Sequence, residues 1–192
     1  MNIANRLTML RIVLTFVFMF FLSLSGLWAK ALSLAIFIFA AVSDLLDGMI
    51  AKKRNMVTDF GKLMDPIADK ILVLSAFAAF VQMNLVRDWM FMIIISREIM
   101  ITSLRIFALN KGKILSAGKI GKHKTASQMV VIFIILGFIV FQEVMKKFFI
   151  WNPNWERFFR QGVDVAMWFT VILTLYSGFS YLWGNRKVIA NI

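Results

Sequence analysis

The stretch Ala31-Leu-Ser-Leu-Ala-Ile-Phe-Ile-Phe-Ala-Ala-Val-Ser43 runs without a charge into Asp44-Leu-Leu-Asp47-Gly48-Met-Ile-Ala51 and stops at Lys52-Lys53-Arg54. About 20 apolar residues in a helix cross the roughly 30 Å of hydrocarbon in a bilayer, whereas a spanning strand needs half that and alternates in polarity. Asp44 and Asp47 stand three residues apart near the end of this helix and so share a face. They also sit where the helix dipole carries partial negative charge, beside apolar neighbours, and therefore call for a compensating cation. Lys52, Lys53 and Arg54 follow by one or two turns and can pair with one carboxylate, but they are more simply read as the cytoplasmic anchor of the span.

The rest of the chain is built for the same solvent. Of 192 residues, 60% are apolar and only 17% charged, outside the balance of soluble domains. Apolar runs of spanning length cover roughly Leu7 to Trp28, Ala31 to Ala51, Ile67 to Met83, Trp89 to Asn110, Thr125 to Met145 and Val163 to Trp183. The expected fold is all-α, a polytopic six-transmembrane-helix bundle. With no long linker, low-complexity tract or internal repeat, one membrane domain over residues 1–192 is enough. The longest connections are expected from Lys111 to Lys124 and from Lys146 to Gly162. The first span follows two arginines and precedes Ala29-Lys30-Ala31, a superficial signal-peptide ending. Its apolar run is too long for a signal-peptide core and five spans follow, so it reads as retained. The absence of cysteine excludes disulfide and thiol chemistry.

Orientation follows from the cations. An even number of spans puts both termini on one side, and that side collects thirteen of the 22 Lys and Arg residues, against six opposite and three (Lys70, Arg97, Arg105) within spans. Both termini, and the turn between spans two and three, are expected to face the cytoplasm. Trp28, Trp89, Trp151, Trp155 and Trp183 fall at expected span ends, where an amphipathic ring suits the headgroup layer; Trp168 does not.

A second acidic pair follows the first across that turn, in Gly61-Lys-Leu-Met-Asp65-Pro-Ile-Ala-Asp69. Asp65 and Asp69 are four residues apart at the start of span three, and the turn folds one pair against the other. Asp65 before Pro66 also reads as an ordinary helix N-cap with proline in the first turn. That reading has no counterpart for Asp44 and Asp47. Four hard oxygen donors, no Cys and a solitary His123 point to Mg²⁺ or Mn²⁺, with two ions plausible, as in sites that stabilise both oxygens of a phosphoryl displacement. Gly48 and Gly61 allow a ligand or helix backbone to approach closely, and Ala51 keeps the wall low.

The pattern Asp-x2-Asp-Gly-x2-Ala, then Gly-x3-Asp-x3-Asp, resembles the signature of the CDP-alcohol phosphatidyltransferases, with Lys52 where the family usually carries Arg. Asn5-Arg-Leu7-Thr8-Met-Leu-Arg11, Ser96-Arg97-Glu98 with Leu104-Arg105, and Gly121-Lys122-His-Lys124-Thr125 resemble members whose acceptor is sn-glycerol 3-phosphate. The resemblance implies transfer of a phosphatidyl group from CDP-diacylglycerol to that acceptor, with CMP released. It also implies that Asp44, Asp47, Asp65 and Asp69 bind metal, that Asp69 is the general base, and that the enzyme is a homodimer. The donor nucleotide is then expected at Gly48, Ala51, Lys52 and Gly61, with Asn5, Thr8 and Arg11.

A doubly charged acceptor needs several donors. Arg97 and Arg105 stand eight residues apart on span four, and an arginine as deep as Arg97 lines a polar cavity or pairs internally, with Glu98 as its nearest partner in sequence. Lys122 and Lys124 can close the same pocket. Against this, Arg105 can simply snorkel and the lysines can be topology anchors. The net charge of +12 suits anionic lipid and phosphate substrates, and the basic residues form no nucleic-acid-binding module. Rival readings are the same chemistry on serine, an inositol phosphate or phosphatidylglycerol, and, more remotely, a divalent-metal or proton-coupled transporter. The acids cluster at one membrane face and no broken-helix repeat is visible, which disfavours transport. A noncatalytic scaffold leaves the carboxylates unexplained.

Overall fold

A computed structural model describes the backbone over residues 3–54, 59–113, 115, 120–149 and 152–190, and side-chain surroundings over 8–43, 67–68, 70–113, 115, 124–149, 152, 154–186 and 188–189. Among the described residues six long helices are followed by a short one: α1 (Ile3–Ser23), α2 (Leu27–Arg54), α3 (Asp59–Gln82), α4 (Asp88–Asn110), α5 (Ile120–Phe148), α6 (Pro153–Gly184) and α7 (Arg186–Ala190). No strand occurs among the described residues.

Three boundaries differ from the sequence expectation, each for a local reason. The first helix ends at Ser23, because Gly26 takes a left-handed backbone (φ +100°) that continues no helix, and Trp28 lies in the first turn of α2. Lys30 then reaches back and donates from Nζ to the Leu22 carbonyl at 2.5 Å, satisfying one of the acceptors that the end of α1 leaves open. The third helix starts at Asp59, six residues before Asp65, so Asp65-Pro66 is interior to α3 and the N-cap reading of that pair fails. The expected connection from Lys146 to Gly162 is mostly helical. Lys146 and Lys147 fill the last turn of α5, and α6 begins at Pro153, where a fixed φ and a missing N–H cost nothing. Glu156 occupies the first turn of α6 and accepts from Arg160 Nη2 at 2.8 Å.

Helix ends elsewhere close in the same hydrogen-bonded manner. After α4, Gly112 (φ +69°) donates to the Leu109 carbonyl at 2.9 Å and Lys113 to the Ala108 carbonyl at 2.9 Å, a Schellman closure. After α3 the left-handed position falls to Asn84 (φ 55°), with Leu85 donating to the Phe80 carbonyl at 2.9 Å. Arg160 Nη1 donates to the Asn84 carbonyl at 2.5 Å.

The chain divides into two compact units, Met1–Ala79 with Phe133–Pro153, and Phe80–Ile132 with Asn154–Ile192. In the first, α1 packs along α2, and the rings of Phe18, Phe37 and Phe133 succeed one another at 5.3 and 5.4 Å. In the second, Met90, Ile94, Ile132, Met167 and Val171 are fully buried side chains, and Tyr181 closes a cluster with Ile101, Ala108 and Leu115. Trp168, the tryptophan placed inside a span by the sequence, lies 5.0 Å from the ring of Trp89 at the start of α4.

The long helix α6 is inverted relative to a soluble one. Val165, Phe169, Ile172, Tyr176, Phe179 and Trp183, spaced four and three residues apart, are exposed, whereas Thr170, Thr174 and Ser177 are buried. Each buried hydroxyl donates to a carbonyl of its own preceding turn, at 2.9, 2.7 and 3.2 Å respectively. Two segments, Lys124–Phe148 and Asn154–Gly184, are long and apolar enough to cross a membrane; the apolar parts of α1, α2 and α3 (Thr8–Ser23, Leu27–Ser43 and Lys70–Gln82) are shorter.

Candidate active site

The four signature carboxylates lie on two consecutive helices. Asp44 and Asp47 are on α2, Asp65 and Asp69 on α3, and the helical backbone brings the members of each pair onto one face, three and four residues apart. Lys52, Lys53 and Arg54 form the last turn of α2, where cations suit the dipole. Gly48, Ala51 and Lys52 share α2 with the first pair, Gly61 shares α3 with the second, Asn5 is on α1 and Lys122 on α5. The side chains of all these residues lie outside the described set. Two pairs of carboxylates one helical turn apart are a donor set suited to hard divalent ions such as Mg²⁺ or Mn²⁺.

Of the residues expected at the donor nucleotide, Thr8 and Arg11 are described. Both are buried on α1, three residues apart, and the Thr15 hydroxyl donates to the Arg11 carbonyl at 2.9 Å. A guanidinium taken this far out of solvent requires an anion or several acceptors to offset its desolvation.

Two of the residues expected at the acceptor, Arg97 and Lys124, meet at Glu98. Its carboxylate is 6% exposed, and Oε1 accepts from Arg97 Nη1 at 3.3 Å and from the ammonium of Lys124, itself 3% exposed. Arg97 Nη2 donates to the Ser177 hydroxyl at 3.0 Å. Gly178 leaves room for the arginine stem, since a Cβ there would stand 3.3 Å from Arg97 Cγ. Arg97 Nε is buried with no hydrogen-bond partner among the described residues. Arg105, two turns further along α4, is exposed and holds its guanidinium 5.8 Å from the centroid of the Tyr181 ring, a cation–π distance.

The pairing of Arg97 with Glu98 thus follows the sequence expectation, while Lys124 arrives as a partner of the same carboxylate. Gln128, Ser177, Gly178 and Tyr181 were not anticipated. Gln128 lies one turn after Lys124 on α5, and Gln128 Nε2 and Tyr181 Oη are buried without partners among the described residues. A glutamine inside an apolar run, and a Ser-Gly step inside another, are the signals that mark such positions.

The first compact unit carries the two acidic pairs on α2 and α3, and the second carries the buried Arg97–Glu98–Lys124 cluster. The sequence model of CDP-alcohol phosphatidyltransferases matches residues 1–176, and the chain belongs to that family. It is similar over nearly its whole length to curated proteins named CDP-diacylglycerol--glycerol-3-phosphate 3-phosphatidyltransferase. That of Bacillus subtilis (strain 168) is 33% identical over 98% of this chain and 97% of its own. Those of Pectobacterium atrosepticum and Salmonella typhimurium (strain LT2) are 35% and 34% identical, covering 94% and 96% of this chain and 93% and 95% of their own.

Proposed function

We propose that this protein transfers the phosphatidyl group of CDP-diacylglycerol to the 1-hydroxyl of sn-glycerol 3-phosphate, yielding phosphatidylglycerophosphate and CMP. The carboxylate pairs on α2 and α3 carry this reading. Asp69 accepts the proton of the attacking hydroxyl as that oxygen bonds to the β-phosphorus, and the bond from that phosphorus to the CMP oxygen breaks. Asp44, Asp47, Asp65 and Asp69 hold the divalent ions. Bound there, Mg²⁺ or Mn²⁺, most simply as a pair, neutralises the diphosphate and the departing CMP. Gly48, Ala51, Lys52 and Gly61, with Asn5, Thr8 and Arg11, receive the nucleotide. Arg97, Arg105, Lys122 and Lys124 attract the acceptor phosphate, for which a fixed guanidinium fork and point-charge ammonium groups are complementary tools.

The working solvent of the chain is a bilayer. Support comes from α6, whose apolar stripe faces outward and whose hydroxyls face inward with their hydrogen bonds internal, the reverse of what water selects. Six spans with both termini in the cytoplasm, in a bacterial inner membrane, place the four acids at the cytoplasmic face within one membrane domain. The acyl chains of the donor then stay in the lipid while its head group meets a water-soluble acceptor. A homodimer is the proposed assembly.

The test uses purified protein in mixed micelles with CDP-diacylglycerol and Mn²⁺ or Mg²⁺. CMP release is expected with sn-glycerol 3-phosphate and not with serine, inositol phosphate or phosphatidylglycerol. Asp69→Asn is expected to lower kcat by about 10²–10⁴-fold, the range attached to a general base. Equal release with every acceptor overturns the acceptor assignment, and metal flux into liposomes without CMP release overturns the enzyme.

A further inference from the structure

We propose that Glu98 is a positioning residue, which gathers Arg97 and Lys124 into one fixed cationic cradle before the acceptor phosphate arrives. The inference rests on the glycerol phosphate reading above and adds to it a group that does not itself touch substrate. Arg97 and Lys124 come from different helices, α4 and α5, and both are withdrawn from water. Two buried cations repel, and without an anion between them the cheapest response is for one side chain to leave or to lose its proton. Glu98 Oε1 accepts from both, so a single oxygen sets their separation. The third helix completes the grip: Ser177 takes Arg97 Nη2 at 3.0 Å, and the bare Cα of Gly178 lets the stem lie against α6.

Among the described residues, Arg97 and Lys124 on the single Glu98 carboxylate form a net positive group, and Arg105 further along α4 adds to its attraction for an anionic phosphomonoester. Arg97 uses one N–H of Nη1 on Glu98 and one of Nη2 on Ser177, which leaves the second N–H of each terminal nitrogen for an incoming anion, while Nε is buried and unpartnered among the described residues. An ordered donor that needs no rearrangement raises affinity by avoiding the entropy of immobilising a long side chain on binding. A carboxylate in a phosphate pocket is otherwise counterproductive, because it repels the ligand. Its presence is accounted for if it acts on the cations and not on the substrate.

The experiment measures CMP release by the full-length protein in mixed micelles, varying sn-glycerol 3-phosphate and CDP-diacylglycerol in turn. Glu98→Gln keeps the shape and removes the charge; it is expected to raise the acceptor KM about tenfold, equal to about 1.4 kcal/mol, with the donor KM held within about twofold. Glu98→Asp restores the charge with a shorter reach and is expected to recover part of that loss. Ser177→Ala removes one hydroxyl and leaves the ion pairs; it keeps the proposal testable if Glu98→Gln does not fold, with an expected rise in acceptor KM of about threefold. An unchanged acceptor KM in a folded Glu98→Gln, or in Ser177→Ala, overturns the proposal. So does an equal rise in both KM values, the mark of a merely structural residue. If the wild type itself releases no CMP with sn-glycerol 3-phosphate, the functional reading fails; if it turns over and the variants keep its acceptor KM, only the role of Glu98 fails.

Discussion

Two arginine–carboxylate links in the same compact unit illustrate how environment decides what an ion pair is for. Arg87 Nε and Nη2 donate to the two oxygens of Asp164 at 3.2 and 2.7 Å, with the side chains 55% and 35% exposed. Arg97 meets Glu98 through a single longer contact, yet with side chains 11% and 7% exposed. The outer pair has the better hydrogen-bond geometry and the smaller consequence, since water competes for each partner and salt screens the attraction. It ties the entry of α4 to α6, and Asp164 raises the Arg87 pKa above its ordinary value, mainly through that hydrogen bond. The inner cluster has poorer geometry but little solvent to replace a lost partner, so removing the carboxylate that its two cations share is the costly change. Stability alone would replace such a buried arrangement by leucines, which is why the proposed cradle assigns it an anionic ligand.

The contrast can be broken most forcefully at Glu98. Glu98→Ala removes the carboxylate that two buried cations share and is expected to cost about 3–5 kcal/mol, a fall in melting temperature of about 10 °C or more in detergent. Asp164→Ala, measured identically, is expected to shift the melting temperature by no more than about 2 °C. Equal shifts would remove the distinction. A finer cut is Arg97→Lys, which keeps the charge but loses the fork that reaches Glu98 and Ser177 together; a loss of about 1–2 kcal/mol is expected, against no measurable change for Arg87→Lys. Smallest is the effect of salt. Raising it to about 1 M, where the screening length is roughly 3 Å, is expected to erase the Asp164→Ala difference and leave that of Glu98→Ala standing.

The sequence made the helices legible because their apolar runs are long, and it made Arg97–Glu98 legible because the partners are adjacent. What stayed hidden depends on how helices register against one another. Lys124 and Ser177 lie 26 and 80 residues from their partners in the inner cluster, and no periodicity within one helix says which neighbour it will face. Boundaries were lost where hydropathy and local backbone chemistry disagree. Trp28 is apolar enough to prolong the first span, yet Gly26 had already ended it. Residues 153–162 are polar enough to read as a loop, yet Pro153, Glu156 and Arg160 begin a helix well. The carboxylates were the reverse case. Their spacing was evident from the chain alone, and the helical backbone of α2 and α3 keeps each pair one turn apart.

The length of α6 has a consequence of its own. At 1.5 Å per residue its 32 residues reach about 48 Å, roughly 18 Å more than the hydrocarbon of an average bilayer. Its early polar turns absorb the excess only while the membrane keeps its thickness. Arg160, in those early turns, donates to the Asn84 carbonyl just ahead of α4, so the added length of α6 is tied to the turn that precedes α4.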